Sequence, residues 1–363
     1  MKQTRLILSL LLTTLLMLLC ACGSDGPEGP AGVDGDPGEP GPDYTEPVPE
    51  DQVFGIAIFN GSEDAHNGNV AVLLTADETA TEDGNTLIAR KLDRPPVLDG
   101  RDDGDALWGG AASPFGIDRT PLKDNLIRDG LMRAGYDGKY LYLQFQWTEV
   151  EGDGFTVGED REYLTWERTL DTNDSPVWVQ NEVYEDKLSI MWLESGEYYD
   201  YINWETDGCK LACHAERQEG MYAVSDTTDF DTWVWGAATT DYLGFAQDAM
   251  IGYVAENDPV EAAYQEDQGA ELFFDNFESG VNAPLYQHKE DPNTNPPYPL
   301  MYYDIMGYSS GGWDLGSTIP GIIGGYPTHS AADIEAKGRF NNGTWTVELR
   351  RLMDTKNYDD VEF

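Results

Sequence analysis

Basic residues are scarce. Lys and Arg together number 22 against 67 Asp and Glu, for a formal net charge of −45 over 363 residues. A nucleic-acid partner needs a basic face to neutralise phosphate, so that class is excluded. Cysteine is scarce as well: four residues cannot staple a chain of this size into a disulfide scaffold. Histidine also numbers four, and no second cysteine pair accompanies the first, so a zinc site is poorly supplied. There is no G-x-S-x-G, no H-E-x-x-H and no phosphate loop, and acidic pairs are too abundant to single out a glycosidase acid and base. These absences argue against an independent enzyme. Long apolar runs are confined to Leu6–Leu19, at about 14 residues too short to span a bilayer. What is present is 40% hydrophobic and 12% aromatic residues, enough for a sizeable core and too much for a disordered acidic chain.

The short apolar run follows Lys2 and Arg5 and ends in Leu19-Cys20-Ala21-Cys22-Gly23. A charged start, a short apolar stretch and a small residue before cysteine resemble a bacterial lipoprotein precursor. Residues 1–21 are then a signal peptide, with cleavage before Cys22 and a lipid on its sulfur. Cys20 fits less well, because bulky Leu19 would occupy the cleavage position. The implied partner is a lipid bilayer, reached through Cys22 at the outer membrane or cell surface, facing periplasm or exterior. The plainer alternative is an ordinary secretory signal. Residues 22–52 form a linker. Gly26, Gly29, Gly32, Gly35, Gly38 and Gly41 recur at every third position, with Pro27, Pro30, Pro37, Pro40 and Pro42 among them. This collagen-like tract is short for a triple helix and reads as an extended spacer.

From Val53 the pattern changes, and residues 53–363 read as one domain. Val53–Phe59, Asn69–Thr75, Tyr140–Trp147, Lys187–Leu193 and Thr344–Leu349 are expected strands. In the third, Leu141, Leu143, Phe145 and Trp147 share one face, and Tyr140, Tyr142, Gln144 and Gln146 the other. Asp137-Gly138 and Asn342-Gly343 read as hairpin turns. Val260–Phe274 is the expected short helix. The fold class is mainly β: a β-sandwich with long irregular insertions and few short helices, least regular over 196–330.

With Cys22 assigned to lipid, Cys209 and Cys213 remain, and His214 follows at once. In an exported chain two thiols followed by His read as a haem c attachment site. The thiols add to the haem vinyl groups and the imidazole is placed to bind iron. Three residues separate the cysteines where two are usual. A Cys209–Cys213 disulfide remains open as the alternative.

Several segments around this run occur in an order known from one family. They include Pro95-Pro96-Val97-Leu98-Asp99-Gly100 with Trp108, Ala134–Leu143, Asp186–Trp192 and Gly208–His214. Asp231-Thr232-Trp233-Val234-Trp235, Leu243–Asp248, Ala336-Lys337-Gly338, Trp345–Arg351 and Asp359–Phe363 follow. Over residues 87–363 the chain resembles the haem-binding domain related to the γ subunit of ethylbenzene dehydrogenase, in its c-type members. The resemblance implies a β-sandwich haem-binding domain, one covalent haem c and a role as haem subunit of a separate molybdenum oxidoreductase. It also implies Met221 as the distal ligand; Met250, His288, Met301, Met306 and His329 are the alternatives. Where relatives often carry His and Lys near the two tryptophans, this chain has Val234 and Gly236. Relatives usually run on past the last motif, so a truncated C-terminus is expected at Phe363.

Trp233, Trp235, Tyr222 and Phe245 are candidate walls for the haem, with a core role as the plainer reading. The run Asp99, Asp102, Asp103, Asp105 has the composition of a structural calcium loop without its spacing, and otherwise reads as a solvated turn. The expected function is electron transfer to redox partner proteins, not an enzyme activity. A carbohydrate- or ligand-binding surface module without haem is the alternative. The negative field would steer basic partners, or serve solubility in a salty habitat.

Overall fold

The structure is a computed structural model. It describes residues 52–59, 70–77, 79–81, 86–115, 127–149, 165–181, 185–193, 222–223, 229–255, 259, 263–269, 273–278, 280–290 and 299–363. The signal peptide, Cys22 and the Gly-X-Y tract lie outside these residues.

The strands in chain order are β1 Gln52–Phe59, β2 Val70–Thr75, β3 Thr86–Lys91, β4 Ser113–Phe115, β5 Ile127–Tyr136, β6 Tyr140–Glu149, β7 Thr165–Leu170, β8 Pro176–Asn181, β9 Lys187–Leu193 and β10 Phe230–Gly236. They continue with β11 Gln247–Ile251, β12 Tyr264–Glu266, β13 Phe273–Asp275, β14 Tyr286–His288, β15 Leu300–Met301, β16 Ile305–Gly307, β17 Thr318–Pro320, β18 Ile322–Gly324, β19 Glu335–Asn341 and β20 Thr344–Leu352. Among the described residues the α-helices are single turns, α1 Asp105–Trp108 and α2 Thr240–Leu243. Among the described residues no helix is long and apolar enough to cross a membrane.

The fold is mainly β and sandwich-like, as its sequence predicts. One large sheet runs β12-β11-β10-β9-β1-β2-β3-β5-β6-β20-β19, with β4 against β5. β2 and β3, and β3 and β5, pair in parallel; the other neighbours are antiparallel. The sheet curls over itself. Trp147 on β6 meets Trp235 on β10 at 6.1 Å between ring centroids, although β9, β1, β2, β3 and β5 lie between those strands in the sheet. Trp235 also meets Trp345 of β20 at 5.1 Å. The inward faces therefore bury one continuous core containing Val72, Leu143, Phe145, Ile190, Trp192, Trp233 and Val347. Edge-to-face aromatic contacts of this kind add about 0.5–1.5 kcal/mol each beyond area burial.

The curl brings the far end of the sheet back to the connection after α2. Phe245 bridges Glu335, Ala336 N–H donates to the Gly244 carbonyl at 3.1 Å, and Ala246 N–H donates to the Ile334 carbonyl at 3.0 Å. Asp241, wholly buried, accepts from the Trp235 indole at 3.0 Å, from Lys337 Nζ at 3.1 Å and from the Gly338 N–H.

The turns follow from their residues. Asn342 and Gly343 both have positive φ, at 52° and 81°, as a two-residue hairpin between twisted strands requires. The expected helix over Val260–Phe274 is not formed: the segment holds β12 and part of β13. Tyr264, Gln265 and Glu266 find partners on β11, and those pairings outweigh the weak helical pattern.

The outer face of β6 is also covered. Tyr142 and Gln144, which share that face, are each 1% exposed. Leu92 and Trp108 pack against Tyr142, and residues 99–105 fold over Gln144. Gln144 donates to Glu348 Oε1 at 3.2 Å, and Glu348 Oε2 accepts the N–H groups of Asp99 and Gly100 at 3.0 and 2.9 Å. Arg133 donates to Gln144 Oε1 and Asp102 Oδ1, both at 2.7 Å, and to Asp105 Oδ1 at 2.5 Å. Two carboxylates of the acidic run thus serve as counter-ions to Arg133.

Smaller sheets hold the irregular part: β13-β18-β15, β14-β16 and β17-β7-β8. A second core of Trp166, Trp178, Leu300, Ile319 and Ile323 joins them.

Candidate functional site

Cys209, Cys213, His214 and Met221 lie outside the described residues. What is described is how the chain leaves and rejoins the sheet on either side of them. β9 ends at Leu193 and β10 begins at Phe230, and these two residues are direct antiparallel partners. The residues between them therefore connect two adjacent strands at one end of the sheet. On the return, Ala223 bridges Tyr253 and its N–H donates to the Gly252 carbonyl at 3.0 Å. Tyr222 is buried against Val254 and Ala263. The residue after Met221 is thus fixed beside the end of β11.

β10 reads Phe-Asp-Thr-Trp-Val-Trp-Gly, and its alternation puts Asp231, Trp233 and Trp235 on one face. All three are buried. Trp233 stands 5.3 Å from Trp192 and 6.1 Å from Phe363, with the Arg351 guanidinium 4.9 Å from its ring. Trp235 is enclosed by Trp147, Trp345 and Asp241. Both rings belong to the hydrophobic core. Phe245 is half-buried and engaged in its bridge to Glu335.

The alternative distal residues are spread over separate elements. Met250 is buried on β11, opposite Asp231 and Gln265. His288 and Met306 sit on β14 and β16; His288 Nδ1 accepts the Glu290 N–H at 3.2 Å, and Met306 is exposed. Met301 is buried on β15. His329 has a positive φ of 56° and places Nδ1 3.1 Å from Thr328 Oγ1.

Beside Trp233 lies a group of acids that the sequence reading did not single out. Asp231 on β10, Asp248 on β11 and Asp360 in the C-terminal segment are all buried, and each offers an oxygen within 4.8 Å of the others. Asp267, Asp359 and Asp360 form an adjoining triplet by the same measure. Arg351 pairs with Asp231, both wholly buried, and its Nη1 lies 3.5 Å from Asp360 Oδ1. It also donates to the Val361 carbonyl. Burial pushes the Asp231 carboxyl up, with Arg351 pulling it down and Asp360 pushing it further up. Burial and then the charges of Asp231 and Asp360 raise Asp248 well above the carboxylate range. Burial, then Asp359 and Asp360, raises Asp267 to about 7. The signal in the sequence is the inward position of Asp231 and Asp248 in otherwise apolar strands; alternation shows it only once the inward face is known.

A family model described as ethylbenzene dehydrogenase matches residues 131–363. The chain belongs to the ethylbenzene dehydrogenase family. None of the curated proteins matches it. The matched region of this family member starts within β5 and takes in the cysteine pair, β10, β11 and the buried acids. Membership gives the chain a redox-related context. The donors available in the segment between β9 and β10 fit a covalent haem by their chemistry: two thiols for the vinyl groups and an adjoining imidazole for iron.

Proposed function

We propose that the chain is an exported electron-transfer protein with one covalent haem c, anchored to a lipid bilayer at the outer membrane or cell surface through Cys22. The observation that carries this reading is the family match over residues 131–363, which includes Cys209, Cys213 and His214 as a single run. When bound, the haem supplies one-electron oxidation and reduction at its iron. Cys209 and Cys213 would hold the macrocycle, and His214 and Met221 its two axial positions.

The chain's own part is to hold and bias that group. The strand partners Leu193 and Phe230 fix both ends of the haem-bearing segment, and the Ala223–Tyr253 bridge fixes it again just past Met221. Firm anchorage limits how far the ligands shift when the charge changes. The excess of 67 acidic over 22 basic residues favours the oxidised form and draws basic partner proteins to the surface. The partner expected from the family resemblance is a separate oxidoreductase subunit.

The test is expression of the precursor with cytochrome c maturation machinery, followed by haem staining of a denaturing gel. A stained band that survives denaturation, and disappears in Cys209→Ala/Cys213→Ala, is the expected result. A colourless protein with a Cys209–Cys213 bridge would sink the reading and favour a ligand-binding sandwich. Haem that leaves on denaturation would replace it with a non-covalent site.

A further inference from the structure

The acids beside Trp233 differ in chemistry from the cysteine–histidine run: they are carboxylates only. Among the described residues, each presents an oxygen with no hydrogen-bond partner. Asp231 Oδ2 accepts from Arg351 and from the Val361 N–H at 3.1 Å, but Oδ1 accepts from nothing. Asp360 Oδ2 accepts from Thr355 and Asn357, while Oδ1 is left without a hydrogen bond. Asp248 is 1% exposed, and among the described residues neither of its oxygens has a hydrogen-bond partner. It is the decisive residue, because a buried carboxylate with no donor at all costs several kcal/mol unless something neutralises it. Arg351 is the one cation paired with the group among the described residues, and it is already bonded to Asp231 and Val361.

We propose that Asp231, Asp248 and Asp360 bind one calcium ion, which ties the C-terminal segment to β10 and β11. The donors are all carboxylate oxygens, the set that hard cations prefer, without the sulfur or imidazole that would favour zinc or copper. Their spacing suits it. Oxygens on one ion at the calcium distance can stand at most about 5 Å apart, and these lie within 4.8 Å of one another. The charges balance: three carboxylates against one guanidinium and a divalent ion leave none over. Asp267 and Asp359 adjoin the site through Asp360 and add further attraction for a cation. The ion would sit where the haem-bearing connection rejoins the sheet, since Asp231 follows Phe230 directly. The proposal does not depend on the haem reading.

The full chain, stripped with a chelator, is titrated with calcium and followed by melting temperature. Terbium luminescence excited through tryptophan reports the site, because Trp233 lies opposite Asp248 in the ladder. The expected result is one tight calcium per chain after desalting, a raised melting temperature and sensitised terbium emission. In Asp248→Asn, which keeps the shape and removes the charge, calcium affinity should fall at least about tenfold, a loss seen even for outer-sphere partners. Wild-type protein with no calcium-dependent stabilisation would overturn the proposal and leave shared protons as the neutralising device. So would Asp248→Asn that keeps the full calcium effect, which would place binding on the acidic surface. Were that variant not to fold, the calcium content of desalted wild-type protein decides: substantially less than one ion per chain rejects the site.

Discussion

Arg351 and Asp231 are joined in an ion pair with no exposed side-chain surface on either partner. The pair lies on the face of Trp233, and Arg351 reaches over Phe363 as well, at 4.8 Å. Such pairs gain little over an apolar substitute, but breaking one leaves a stranded charge. Arg351→Met keeps most of the volume and removes the one partner of Asp231 Oδ2, among the described residues, besides the Val361 N–H. In the presence of a chelator it should lose about 3–5 kcal/mol of unfolding free energy. Denaturant titration checks this; a loss below about 1 kcal/mol would show that Asp231 is neutral without Arg351. Adding Asp231→Asn to Arg351→Met should recover part of the loss.

Glu348 makes a pH prediction. Burial raises its carboxyl to about 7, against the pull of the N–H groups of Asp99 and Gly100 and the amide of Gln144. The folded state therefore holds the proton more tightly than the unfolded chain, where the ordinary value is 4.5. The stability this contributes is complete below 4.5 and is lost as pH rises through about 7. The slope is at most about 1.4 kcal/mol per pH unit. Glu348→Gln has no proton to lose, so its stability should vary less with pH across that window. Unfolding free energies for both proteins at its two ends test the point, and parallel profiles would refute it.

Gly338 makes a packing prediction. A Cβ at this position would stand 2.2 Å from Cζ2 of Trp235, which is wholly buried between Trp147 and Trp345. The ring has no free side to move into. Gly338→Ala should cost about 1–3 kcal/mol, the usual range for an overfilled core. Tryptophan fluorescence should shift with it, since several indoles are displaced together. A wild-type melting temperature and spectrum would mean that the ring has room.

The strands were the most legible part of the sequence. Lys187–Leu193 is predicted to the residue, and the start of β20 and its Asn342-Gly343 turn follow from alternation and turn chemistry. Less legible was which polar residues lie inside. Alternation separates the two faces of β6, but nothing in a strand's period reveals that Leu92 and Trp108 cover Tyr142 or that residues 99–105 return over Gln144. The helix expected over Val260–Phe274 failed for a related reason: short strands are decided by partners distant in sequence. Of the candidate site, the family could be read from local motifs, because its segments keep their order along the chain. The acids at 231, 248 and 360 could not, because the sheet brings together residues that no spacing rule links.

The closing of β19 onto the chain near Phe245 also bears on how copies of the molecule behave side by side. A sheet's outermost strand is ordinarily a template on which a stranger's backbone can be laid down. Here the Gly338 amide is already taken by Asp241, and the chain around Glu335 by residues 244–246. At the opposite margin β12 is three residues long and ends in Glu266. Among the described residues, neither border of this sheet offers a long run of unclaimed amides and carbonyls. Edge-to-edge pairing of crowded molecules through these two borders is therefore disfavoured, even without help from the repulsion between their like charges.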